Sequence, residues 1–117
     1  MSNTYKAFVI PVVGDEFEAT ASHDSVKDMQ ALVSGFVEAV RLGNLYLLVD
    51  EDGLSKNLPP NERATRLVEM LGGKMMRPLV GQVAFVSENP KDKSVFANVP
   101  DSLITTYNER IKAPTLN

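Results

Sequence analysis

Cysteine and tryptophan are absent from this chain, and histidine occurs once. Without a thiol there is no disulfide, no cysteine nucleophile and no thiolate metal site, and the composition suits a reducing compartment. A lone histidine cannot supply a metal cluster of its own kind. No apolar run approaches the ~18 residues that a membrane span requires. The opening stretch, residues 1–6, lacks the basic region and apolar core of a signal peptide. A cytoplasmic protein that avoids the membrane is therefore expected. Net charge is also small, although 23% of the residues are charged, an ordinary share. Fifteen acids against twelve bases give a net −3, too mild to mimic nucleic acid and too acidic to bind it by charge alone.

Motifs of established chemistry are missing as well. Ser22-His23-Asp24 has the letters of a catalytic triad, but adjacent residues cannot converge in triad geometry. His23 reads as an ordinary residue near a helix cap. Asp50-Glu51-Asp52-Gly53 resembles a calcium loop only at its end, because Leu48 stands where the first ligand belongs. Gly72-Gly73-Lys74 lacks the glycine that a phosphate loop needs at Val68 and the hydroxyl it needs at Met75. Neither G-x-S-x-G nor H-E-x-x-H occurs. No catalytic residue, no metal ligand set and no cofactor is assigned, and a non-enzyme is expected.

What the chain does contain is strong turn and strand patterning. At 117 residues it suits one domain, residues 1–117, able to bury roughly two-thirds of the surface its unfolded chain exposes. Gly43-Asn44 separates two apolar runs, residues 36–42 and 45–50, and predicts a tight hairpin. The register then pairs Leu42 with Leu45, Val40 with Leu47 and Glu38 with Val49. One face carries Val40, Leu42, Leu45, Leu47 and Val49, the other Val37, Ala39 and Leu48. Apolar residues on both faces predict a central place in the sheet for this hairpin.

Asp52-Gly53 predicts a turn, with residues 54–56 returning as a short edge strand. Pro59-Pro60 stiffens the chain, and Asn61 is set to cap a helix whose stripe is Ala64, Leu67, Val68 and Leu71. Glu62 and Arg66 are spaced to pair in solvent, and Gly72-Gly73 stops the helix. Residues 5–13 and 17–21 read as a first hairpin about Gly14-Asp15, with Pro11 at an edge, bulge or strand end. A helix follows, capped by Asp24 or Ser22, with Val26, Met29, Leu32, Val33 and Phe36 on its apolar face and Gly35 at its end. Met70, Met75 and Met76 read as filler at the core's edge.

Residues 79–87 read as a central strand in which Gly81 marks a bulge or close approach. Residues 95–99 read as a last short strand. A final helix carries Leu103, Ile104, Tyr107 and Ile111 on one side and ends at Lys112-Ala113-Pro114, leaving residues 115–117 frayed. The order predicts an α+β fold: an antiparallel or mixed sheet of four to six strands with two or three helices packed on it.

The run FVEAVRLGNLYLLVDEDGLSKNLPPNERAT, preceded by ALVSG and followed at a distance by LVGQVAFVS, resembles the domain-of-unknown-function family numbered 3846. Its members are phage, plasmid and actinobacterial proteins. The resemblance spans residues 31–65 and 79–87 and implies a viral or mobile-element setting; it brings no catalytic residues.

One polar set remains: Lys56, Asn57, Asn61, Arg63 and Arg66. Helix-start amides, an asparagine and an arginine can hold an anion, and the Leu58-Pro59-Pro60 segment would preorganise them. The competing reading is a helix cap with solvated charges. Two functions stay open. The first is an accessory protein of a phage or mobile element that binds a host or defence component through the surface around residues 50–66. A homodimer through an edge strand is compatible with it. The second is a binder of a small nucleotide-like anion at the Asn61 helix start.

Overall fold

The structure, a computed structural model, describes residues 3–112. Six strands form one antiparallel sheet, β1 (Thr4–Ile10), β2 (Phe17–Ser22), β3 (Val37–Leu42), β4 (Leu45–Asp50), β5 (Val83–Glu88) and β6 (Phe96–Ala97). The order across the sheet is β2-β1-β5-β4-β3, and β6 pairs with the end of β5. Three helices, α1 (Val26–Val33), α2 (Glu62–Met70) and α3 (Asp101–Tyr107), complete the α+β fold, and α3 widens into a π turn at Asn108–Lys112.

The second hairpin has the register that its turn dictates: Leu42 faces Leu45, Val40 faces Leu47 and Glu38 faces Val49. Gly43 has φ +62° while Asn44 keeps a negative φ, the pattern of a type II′ turn with glycine first. The expectation of a central position holds for β4 only. β4 lies between β3 and β5, whereas β3 has no strand on its far side. Residues Glu38 to Arg41 are accordingly exposed. The apolar ends of β3, Val37 and Leu42, are half-buried against the two cores, while the middle of the strand lies open.

The alternation of β1, β4 and β5 feeds two cores, one on each face. Phe8, Ile10, Leu47, Val83 and Phe85 point to one side, where Leu67, Val68, Leu103 and Tyr107 of α2 and α3 meet them. Tyr5, Val9, Leu48, Ala84 and Val86 point to the other, beneath Leu32 and Val33 of α1. β5 is buried on both faces over its first four residues, as expected of a strand that reads as a continuous apolar run.

Several boundaries differ from the pattern. β5 begins at Val83, because Gly81 turns the chain with φ +77° beside Leu58. β1 stops at Ile10, so Pro11 falls at the strand's end. The α1 cap is Ser25, whose hydroxyl accepts from the Asp28 N–H at 3.0 Å; Ser22 lies three residues and Asp24 one residue too early. Val26 and Phe36 are exposed, not on the α1 core face. Val26 is the first residue of α1, whose buried residues Leu32 and Val33 lie at its other end, and the left-handed turn at Ser34 redirects Phe36. Residues 54–56 form no strand: the Lys56 and Leu58 amides bond back to the Asp52 and Gly53 carbonyls. Of the three methionines, Met75 packs on the core while Met70 and Met76 are exposed. No ion pair joins Glu62 to Arg66 among the described residues. The expected helix end at Ala113-Pro114 and the frayed residues 115–117 lie outside the described residues. Among those described, no helix is long and apolar enough to cross a membrane.

Candidate interaction site

β4 delivers Asp50 to the sheet's end, where the side chain is 1 % exposed. Two donors hold the carboxylate: Lys56 Nζ at 2.7 Å to Oδ2 and the Asp52 amide at 2.8 Å to Oδ1. The hydrogen bond from Lys56 outweighs the cost of burial, so the Asp50 carboxyl titrates below its ordinary range. Gly35 packs directly against it; a Cβ there would lie 2.4 Å from Oδ2. The turn that follows is compact, and Asn57 occupies the left-handed region at φ +57°, which asparagine tolerates better than most residues.

Pro60 bridges to Val80, and the chain then enters α2 through Asn61. This side chain is buried with all three of its contacts inside the protein. Oδ1 accepts from the Ala64 N–H at 3.1 Å, and Nδ2 donates to the carbonyls of Ile10 and Gly81 at 2.8 and 2.9 Å. The expected cap is there, and it also bolts β1 to the segment before β5.

Arg63 is equally committed. Its guanidinium donates to the Pro11 and Gly14 carbonyls, each at 2.7 Å, and to the Tyr107 hydroxyl at 3.1 Å. Glu16 lies 3.6 Å from it and accepts from Lys112 at 2.6 Å and from Tyr107 at 3.1 Å. Burial opposes ionisation of Glu16, yet the bonds from Lys112, its own amide and Tyr107 leave its carboxyl below the usual range. Nothing in the residue pattern singled out Glu16. Its only signal was a place beside the first hairpin turn.

The five polar residues read from the sequence thus divide. Lys56 and Asn57 share the exposed turn, and Lys56 serves Asp50. Asn61 and Arg63 face inward and spend their donors on the chain itself. Arg66 lies on the exposed face of α2. A convergent set of free donors for an anion does not form here.

The other candidates resolve similarly. His23 stacks on Tyr5 with centroids 5.2 Å apart, and its Nε2 lies 3.0 Å from the Phe96 carbonyl. Among the described residues, no group of three His, Asp or Glu side chains is placed to hold a metal ion. Gly72 and Gly73 close α2 through bonds to the Glu69 and Val68 carbonyls.

A different feature stands out beside the Asp50 turn. A groove of about 220 Å³ runs over the β3 end of the sheet, walled by Val40, Val49, Leu54, Met75 and Leu79. Glu38, Glu51 and Arg77 stand at its rim. Val40 is 39 % and Leu54 56 % exposed, so apolar surface faces solvent directly beside the open edge of β3. In a two-residue hairpin the residues flanking the turn form a hydrogen-bonded pair, and bonded pairs then alternate. The N–H and C=O groups of Leu42, Val40 and Glu38 are therefore spent on β4. Those of Arg41, Ala39 and Val37 point out of the sheet.

The far wall of this groove, residues 75–80, runs from Met75, which packs on the core, to the segment before β5, and only the tertiary fold sets it opposite β3. No curated protein and no solved structure matches the chain. The model of one family, described as a domain of unknown function (DUF3846), matches residues 5–112. With nearly the whole length covered, the chain belongs to the DUF3846 family.

Proposed function

We propose that this protein is a non-catalytic accessory factor that binds a partner polypeptide along β3 and the groove beside it. One observation carries the reading: a strand with three outward-facing backbone positions borders an exposed aliphatic groove. Strand addition beside a side-chain groove is a common mode of peptide capture. The groove is walled by the aliphatic side chains of Val40, Val49, Leu54, Met75 and Leu79, which suits recognition of an apolar side chain. In the phage or mobile-element setting that the family resemblance suggests, the partner is a host or defence component. Anion capture at the start of α2 has less support, because Asn61 and Arg63 already donate to internal acceptors.

A photo-reactive residue introduced at Val40 tests this, with the same residue at the exposed Thr105 of α3 as control. In cells that naturally make the protein, position 40 is expected to give a discrete adduct and position 105 none. Ala39→Pro, which removes an outward-facing amide and no internal sheet bond, is expected to abolish that adduct. Equal labelling from both positions, or none from position 40, overturns the proposal.

A further inference from the structure

We infer that the β3 edge is shaped for an extended segment of a different polypeptide, one carrying lysine or arginine two positions from an aliphatic residue. The inference rests on the docking reading above and adds the chemistry of the occupant. Two features of β3 argue it.

The first is that its charges work against a second copy of this chain. A two-fold axis normal to a continuous sheet leaves each residue on its own face, so antiparallel self-pairing must centre on a residue. Centred on Glu38 or on Arg41, it sets two like charges directly opposite. Centred on Ala39, it sets Glu38 diagonal to its counterpart in the second copy. Centred on Val40, it does the same to Arg41. Opposed like charges destabilise cross-strand pairs, and diagonal neighbours are within reach of long side chains. Arg41 is not neutralised in isolation, because its partner Glu88 also holds Lys93. Every centred register over these four residues is thus penalised.

The second is the charge of the groove. Glu38 and Glu51 on its rim have no ion-pair partner among the described residues, against the single cation Arg77. Side chains on one face of an added strand recur every second residue. One that sits beside Val40 enters the aliphatic part of the groove, and its neighbour two positions along stands beside Glu38. An aliphatic residue suits the first place and a cation the second.

The test uses an end-blocked peptide, Thr-Lys-Thr-Val-Thr-Lys-Thr, and a control with glutamate in place of each lysine. Titrations are followed by NMR at low salt, with amide exchange read at Val37, Ala39 and Arg41. The lysine peptide is expected to slow exchange at those three amides and to bind about fivefold more tightly than the control, the upper range for one exposed charge pair. Glu38→Lys is expected to reverse the preference, and Ala39→Pro to remove binding of both peptides. Equal protection by the two peptides overturns the charge inference while leaving strand docking in place. Protection by neither overturns both. Slowed exchange that rises with protein concentration in the absence of peptide points to self-pairing and overturns the inference.

Discussion

Replacing Asn61 by alanine should cost far more than a helix cap. Loss of the side-chain acceptor for the Ala64 N–H is worth about 1 kcal/mol. The same change strips the Ile10 and Gly81 carbonyls of their donor in a site that is 1 % exposed. Each buried polar group left unmet adds about 1–2 kcal/mol, bringing the expected loss to about 4 kcal/mol. Against a domain stability of roughly 5–15 kcal/mol this is a large share. With a urea slope of roughly 2 kcal/mol per molar, the unfolding midpoint should fall by about 2 M. Asn61→Asp separates the two roles. It keeps the capping oxygen but turns a carboxylate toward two carbonyls, which raises its folded-state pKa. A raised pKa stabilises the fold below the unfolded value and loses that support as pH rises through the folded one. Asn61→Asp should therefore approach the wild type near pH 4 and fall away toward pH 7. A loss near 1 kcal/mol for the alanine variant, or a pH-independent gap for the aspartate, would refute the reasoning.

The hydroxyls of Tyr5 and Tyr107 make a contrasting pair. Tyr5 Oη is buried and meets no hydrogen-bonding partner among the described residues, so Tyr5→Phe should be neutral or raise stability by up to about 1 kcal/mol. Tyr107 Oη bonds both Arg63 and Glu16, and Tyr107→Phe should cost about 1–2 kcal/mol in the same urea assay; the opposite order would contradict the assignment. Gly35→Ala drives a Cβ to 2.4 Å from a pinned Asp50 oxygen and should destabilise by about 2 kcal/mol. Combining it with Asp50→Ala should cost less than the sum of the two, and strict additivity would count against the contact. The depressed carboxyls of Asp50 and Glu16 support the fold above the unfolded carboxyl range near ~4 and lose that support as pH falls through their folded values. Lys56→Gln should make the acid limb of the stability profile shallower, and an unchanged slope would remove Lys56 from the account.

Elements whose physics is local were legible in the residues. The second hairpin's register follows from Gly43-Asn44 alone, since a two-residue turn admits one pairing. Asn61 announces its cap because the stripe from Ala64 to Leu71 begins three residues later. The central place of β5 shows in its continuous apolar run. What depends on distant partners was hidden. Nothing near β3 in the chain reveals that no strand follows it across the sheet. The polar corner failed as a free donor set for the same reason: Arg63 and Asn61 are neighbours in sequence, but their acceptors are carbonyls of Ile10, Pro11, Gly14 and Gly81. Composition cannot place those carbonyls. Spacing alone places Phe36 on the α1 core face, and the left-handed Ser34 breaks the period.

The strand order also constrains how this chain can be made. β1–β2 and β3–β4 close early, each on its own turn, yet neither pairs with the other. Only β5 lies between them, and it follows both hairpins in the chain. Until then Phe8 and Ile10 on one hairpin and Leu47 on the other lack the strand whose Val83 and Phe85 join them in one core. Assembly waits for one long-range event, the insertion of β5 as a keystone. That favours slow, late-committing folding over stepwise growth from the amino terminus.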